Sequence, residues 1–153
     1  MLNKKSAGIL VYRNLNKFLE VFLVHPGGPF WEKRDKGVWS IPKGEFTDEE
    51  PLQAALREFS EETGVHVEGD FVELTPIKQK SGKVIYIFAL EITNPIVEIK
   101  SNMFEMEWPP HSGKMQQFPE VDKGGWFSVE EAMVKIVPGQ AGFIQELVKK
   151  VRG

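Results

Sequence analysis

Cysteine is absent from this 153-residue chain. That excludes a disulfide framework and any thiolate zinc site. Histidine is scarce, and His25, His66 and His111 share no metal-ligand spacing, so all three are expected to be structural. No apolar run approaches the ~20 residues of a membrane span. The opening MLNKKSAGILVYRN carries lysines but no stretch suited to a signal peptide. Positive charge is not in excess either. The formal net charge is -3, which argues against general nucleic-acid binding but leaves local lysines free to meet phosphate. A soluble, cytoplasmic protein with no membrane partner is the expectation. Repeats, low-complexity tracts and linkers are also missing, so one domain over residues 1–153 is expected. Its 41% hydrophobic and 27% charged content suits an ordinary globular core.

The apolar pattern places the elements. Ala7 to Tyr12 (AGILVY) and Phe18 to Val24 (FLEVFLV) read as strands joined by a polar turn. His25 to Lys36 is rich in Gly and Pro and reads as a loop, yet it carries Phe30 and Trp31. Pro51 to Thr63 is the clearest helix. Leu52, Ala55, Leu56 and Phe59 form its apolar stripe, Pro51 suits its first turn and Gly64 its C-terminal cap. Phe71–Gln79 and Lys83–Ile92 read as a strand pair turning at Ser81-Gly82, and the second is apolar on both faces, as a covered strand would be. Met103–Trp108 reads as a strand and Pro109–Lys123 as a long loop of the kind that often carries function. Trp126-Phe127 ends a short strand, Ser128 and Glu131 form a capping box, and a last helix runs from about Ala141 to Val151. Trp39, Trp108 and Trp126 are expected in the core. Strands and helices mix, so the fold class is α+β, with helices on both sides of one sheet.

The chemistry concentrates in Arg57-Glu58-Phe59-Ser60-Glu61-Glu62. Helical spacing puts Glu58, Glu61 and Glu62 close together, beside the apolar stripe. Three such carboxylates repel unless a cation neutralises them, and an oxygen-rich set suits Mg²⁺ or Mn²⁺, typically with phosphates on the substrate. A plain solvated helix face is the simpler reading of a charge run, but the flanking Pro42-Lys43-Gly44 and the Arg-Glu order weigh against it.

This segment resembles the Nudix box: Gly, five residues, Glu, seven residues, Arg-Glu, an apolar residue, any residue, Glu-Glu, any residue, Gly and an apolar residue. Arg57 to Val65 fits the second half residue by residue, and Ile41-Pro42-Lys43-Gly44 resembles the usual lead-in strand. The loop half is one residue short. Five residues separate Gly44 from Glu50, but seven separate Glu49 from Arg57, so either can be the first Glu of the box. Further segments (HPGGPFW, FEMEWPP, FPEVDKGGWF) look like a bacterial subgroup of predicted nucleoside-triphosphate pyrophosphohydrolases.

The resemblance implies a mixed sheet in an α/β/α sandwich and hydrolysis of a nucleoside diphosphate linked to a moiety X. A nucleoside triphosphate or a dinucleoside polyphosphate such as diadenosine tetraphosphate is the favoured substrate. It implies Mg²⁺ or Mn²⁺ held by Glu58, Glu61, Glu62 and the Gly44 carbonyl, with Arg57 holding the glutamates. A further Glu from a distant loop is expected as ligand or base. Glu120 is the first candidate, before Glu105 and Glu107. Lys43 is a phosphate contact. Among Lys78, Lys80 and Lys83 it is Lys80 that is kept as a second, although a solvated strand edge is the plainer reading. Trp31 is kept as a base contact, although Phe30 and Trp31 more simply close the core under their loop. A non-catalytic nucleotide-binding regulatory module is the alternative function. An isoprenoid diphosphate isomerase, which uses the same fold, is set aside for want of a reactive Cys. A monomer or homodimer is expected.

Overall fold

The structure is a computed structural model that describes residues 4–93 and 99–152. Two long strands form its centre, β1 (Lys5–Leu15) and β2 (Phe18–Pro26), paired antiparallel across the Asn16-Lys17 turn. A short β3 (Lys43–Phe46) pairs antiparallel with the start of β1 and feeds α1 (Pro51–Thr63). Then come β4 (Val72–Glu73), β5 (Ile77–Lys78) and β6 (Val84–Glu91), which lies parallel to β1. β7 (Met103–Glu107) and β8 (Met115–Pro119) make a separate two-stranded sheet, and β9 (Val121–Ser128) returns to pair with β2. Two helices follow, α2 (Val129–Lys135) and α3 (Ala141–Arg152). The main sheet runs β4-β6-β1-β2-β9, with β3 on β1 and β5 on β6.

Period-2 alternation in β1 decides what covers each face. Ala7, Ile9 and Val11 point toward one buried cluster, with Ala54, Ala55 and Phe59 of α1. Leu10 points to the other, with Ala132 and Ile136 at α2 and Phe143, Ile144 and Leu147 of α3. β6 divides likewise, Ile85 and Ile87 on the α3 side and Phe88 and Leu90 on the α1 side. Both faces are therefore apolar, which is why AGILVY and VIYIFAL are nearly continuous runs. The sheet is mixed and helices cover both of its sides, as expected.

The helix signals hold. Pro51 occupies the first turn, Gly64 is left-handed at φ 75° and donates to the Ser60 carbonyl, and the Ser128 hydroxyl accepts from the Glu131 amide. Four expectations do not. Pro109–Lys123 is not one loop, because Met115–Pro119 pairs with β7 and β9 begins at Val121. β8 (MQQFP) is exposed at Met115–Gln117 and half-buried at Phe118 and Pro119, so it lacks an alternating apolar pattern. In β9 a Cβ on Gly124 would lie 2.4 Å from the Phe22 ring, so packing requires glycine there. Phe71–Gln79 is two short strands interrupted at Thr75-Pro76. Trp39 is enclosed, whereas Trp108 and Trp126 are only partly buried. Phe30 and Trp31 do not close the core; they are exposed.

Candidate active site

β3 brings the lead-in residues against the end of α1. Gly8 of β1 lies opposite Lys43, and a Cβ on it would sit 2.2 Å from the Pro42 carbonyl oxygen, so a side chain there would push β3 off the sheet. Gly44 is tighter in a different way. A Cβ there would fall 2.0–2.5 Å from the Glu58 carboxylate. The Glu58 carboxylate thus rests against the Gly44 backbone, in space that only glycine leaves open.

Arg57 organises the acidic face. Its Nε donates to both Glu49 oxygens at 3.0 Å and its Nη2 to Glu49 at 2.6 Å. Nη1 donates to Glu58 at 2.8 Å and reaches Glu61 at 3.3 Å. The forked guanidinium can serve three carboxylates at once. Glu50 instead takes the N-cap position of α1 and makes no side-chain cap. The shortened loop therefore keeps Glu49, with seven residues between it and Arg57, as the arginine's partner. Hydrogen bonding to Arg57 holds the Glu49 carboxyl below its ordinary range.

The remaining carboxyls are partly buried and crowded, which disfavours their charged form. Burial pushes Glu58 above the usual carboxylate range, partly offset by Arg57. Glu62 is pushed up to about 8, first by burial and then by the Glu58 charge, against a backbone hydrogen bond from Lys43. The charge of Glu120 raises both. Glu120 reaches this position through main-chain bonds. Gly27 N–H donates to its carbonyl, its own N–H donates to Asn102, and Asn102 N–H donates to the Glu61 carbonyl, each at 2.9 Å. The end of β2, the foot of the β7–β8 hairpin and the last turn of α1 are thereby tied at one point.

Lys43 is half-buried, and its ammonium is held below the ordinary lysine range, first by burial and then by the nearby Lys83. Among the described residues no carboxylate pairs with it within 4.0 Å, while Lys83 lies 3.5 Å from Glu45. Lys80 is exposed on the Gln79–Lys83 turn and stands in no ion pair among the described residues. Lys83, not Lys80, is thus the turn lysine whose charge reaches the lead-in strand. Nothing in the sequence separates them; the register of β6 does. Glu107 is occupied, accepting from the amides of His111 and Gly113 to close the hairpin turn, and Glu105 is exposed on β7. Trp31 has Arg34 over its ring at 5.5 Å. His25 is structural, as expected. It is fully buried beside this site, its ring nitrogens on Asp122 Oδ1 at 2.8 Å and the Arg34 carbonyl at 2.6 Å.

Among the described residues no three carboxylate or imidazole groups converge as a ready cage. Arg57 draws Glu58 and Glu61 toward itself instead. The donor set nonetheless fits a hard divalent cation. It offers carboxylate oxygens with uncompensated charge, beside a Gly44 backbone left open by the missing Cβ.

A NUDIX domain model matches residues 2–147. The chain belongs to the NUDIX family. Its fold is also that of solved NUDIX structures. An Ap4A hydrolase of C. elegans, solved as a binary complex, is 21% identical, with a TM-score of 0.66 and 98% of each chain covered. The NUDIX domain of Shewanella oneidensis NrtR, complexed with ADP ribose, is 17% identical, with a TM-score of 0.66 over 99% of this chain and 90% of that one. A mutT/nudix family protein of Listeria innocua is 14% identical, also with a TM-score of 0.66, over 99% and 96%. No curated protein matches this chain. Among the described residues, no helix of this NUDIX chain is long and apolar enough to cross a membrane.

Proposed function

We propose that this chain is a Mg²⁺- or Mn²⁺-dependent pyrophosphohydrolase that cleaves a diphosphate linkage in a nucleoside triphosphate or a dinucleoside polyphosphate. The observation that carries the reading is the Glu58 carboxylate seated against Gly44, with the Glu120 charge felt by both Glu58 and the partly buried Glu62 carboxyl. Glu58, Glu61, Glu62 and the Gly44 carbonyl would hold the cation. When bound, it neutralises diphosphate oxygens and eases deprotonation of the attacking water. Glu120, on the opposite wall, takes the proton of that water as general base. Arg57 is a positioning residue, since its hydrogen bonds fix the rotamers of Glu49, Glu58 and Glu61. Lys43 and Lys83 meet the phosphates, and the poorly compensated charge of Lys43 is what an incoming anion relieves. Lys80, on the same turn, is a more peripheral phosphate contact, and Trp31 a base contact.

The neighbours support the substrate class, one being an Ap4A hydrolase and another a NUDIX domain complexed with ADP ribose. The second also supports the alternative, a regulatory module that binds a nucleotide without turnover. The Glu49–Arg57 pair favours the enzyme, because the shortened loop still holds the glutamate face together. The test is release of phosphate and nucleotide from dinucleoside polyphosphates, nucleoside triphosphates, ADP-ribose and nucleotide sugars, with Mg²⁺ or Mn²⁺, beside Glu62→Gln. Turnover of one class that vanishes in the variant is the expected result. Metal and nucleotide binding with no turnover of any substrate would establish the regulatory reading.

A further inference from the structure

We propose that Phe30 and Trp108 form an aromatic corner that stacks a heteroaromatic base of the substrate; the proposal rests on the nucleotide reading above and extends it. Phe30 is 61% exposed, yet it is held. Its ring meets Trp108 at 5.5 Å between centroids and an interplanar angle of 76°. The comparable edge pairs Trp39–Phe127 and Phe22–Trp126 pack against the core clusters on either side of the sheet. Phe30–Trp108 instead lies at the surface, on the loop and the hairpin. Two rings near a right angle leave a re-entrant corner. A planar ring fits it by stacking on one face and abutting the other.

The corner is fixed from below. Gly28, at φ 95°, lets the loop lie on the hairpin, where a Cβ would come 3.0 Å from the Phe104 ring. Phe104 faces Phe118 across the hairpin. The corner is also continuous with the phosphate site. Phe30 is three residues past Gly27, which bonds Glu120, so the two lie within about 10 Å along the chain. β7 starts one residue after Asn102, which bonds both Glu61 and Glu120. A substrate with its diphosphate between Lys43 and Glu120 extends its nucleoside toward this wall, with Arg34 at Trp31 as a further cation. Aromatic faces beside a polyphosphate site match a base better than an aliphatic or peptide partner.

The test is tryptophan fluorescence titration with AMP and with ribose 5-phosphate in Mg²⁺, a pair that differs only by the base. Phe30→Ala is expected to weaken AMP binding about tenfold. The affinity of ribose 5-phosphate should change less than twofold, so that the preference for the base collapses. Phe18→Ala serves as control, since Phe18 is 75% exposed at the far end of β2. AMP binding unchanged in Phe30→Ala overturns the proposal. So does a Phe30→Ala protein that turns from dimer to monomer by light scattering while binding AMP as before, which would make the corner a self-association surface. The source of the base follows from KM. A rise confined to dinucleoside polyphosphates places the base of X in the corner, and a rise shared with nucleoside triphosphates places the cleaved nucleotide's own base there. Hydrolysis with an unaltered base preference sinks this inference alone. Base binding without hydrolysis sinks the enzyme reading alone.

Discussion

The α1 face and the β7–β8 hairpin meet at the same site but are built in opposite ways. The α1 glutamates stand on a helix whose other side is locked into the core by Ala54, Ala55 and Phe59. They are over-determined by Arg57 and by the space at Gly44. The hairpin has no share of the main sheet. It is held by main-chain bonds at its foot and by aromatic contacts to the Gly27–Lys36 loop. Chemistry that tolerates little displacement sits on the rigid part. The part that meets variable chemistry sits on an exposed arm, where side chains can change without disturbing a core.

The largest effect should come from breaking the rigid side. In Gly44→Ala the new Cβ collides with the Glu58 carboxylate, the far end of a flexible side chain, so the carboxylate moves and the fold stays. We expect kcat to fall about 100-fold, with the melting temperature nearly unchanged. A kcat within threefold of the parent would mean that the Glu58–Gly44 contact is dispensable. Arg57→Lys comes next. A lysine cannot reproduce the fork to Glu49 and Glu58, and the glutamates lose their fixed rotamers. A fall of about 10- to 30-fold is expected in kcat, with less change in KM. A fall in KM affinity alone would assign Arg57 to substrate and not to positioning.

The two sides also differ in how they read from the sequence. The α1 face was legible because helix period, caps and the Arg-Glu order all constrain the same residues. The sheet was legible where both faces are apolar. The hairpin was not. Met115–Pro119 (MQQFP) has no clean alternation, and its partner β7 lies outside the main sheet, so no core declares it. The one-residue deficit left Glu49 and Glu50 equivalent on paper, and only the reach of Arg57 separates them. Glu120 was expected from its place before a strand, and its charge reaches Glu58 and Glu62. Lys80 was preferred over Lys83 because register, which the local sequence does not carry, decides which turn lysine meets the lead-in strand.

A smaller effect tests the charge on the rigid side. Burial and the Glu58 charge push the Glu62 carboxyl up to about 8, above its ordinary 4.5. A carboxyl with a raised folded value binds its proton more tightly when folded, so its contribution favours folding at low pH. That contribution is lost as pH climbs from about 4.5 to 8. In EDTA the parent should lose about 5 °C of melting temperature across that range. Glu62→Gln should lose much less, and Mg²⁺ should restore the parent alone. Equal slopes for both proteins would mean that Glu62 is not the strained charge.

The smallest effect belongs to the arm. Glu107 closes the hairpin turn by accepting from the His111 amide at 2.8 Å and the Gly113 amide at 3.2 Å. Glu107→Gln keeps the shape but leaves one of the two amides facing a side-chain NH₂ that cannot accept, and makes the other bond neutral, at a cost of about 2 kcal/mol on an exposed turn. If the arm is an independently held wall, the cost loosens Trp108 without reaching α1. KM for a base-bearing substrate should then rise about two- to threefold, with kcat and the global melting temperature unmoved. A matching fall in kcat would show that the tie through Asn102 carries strain into the glutamate face. The two regions would then work as one unit and not as a fixed centre with a separate arm.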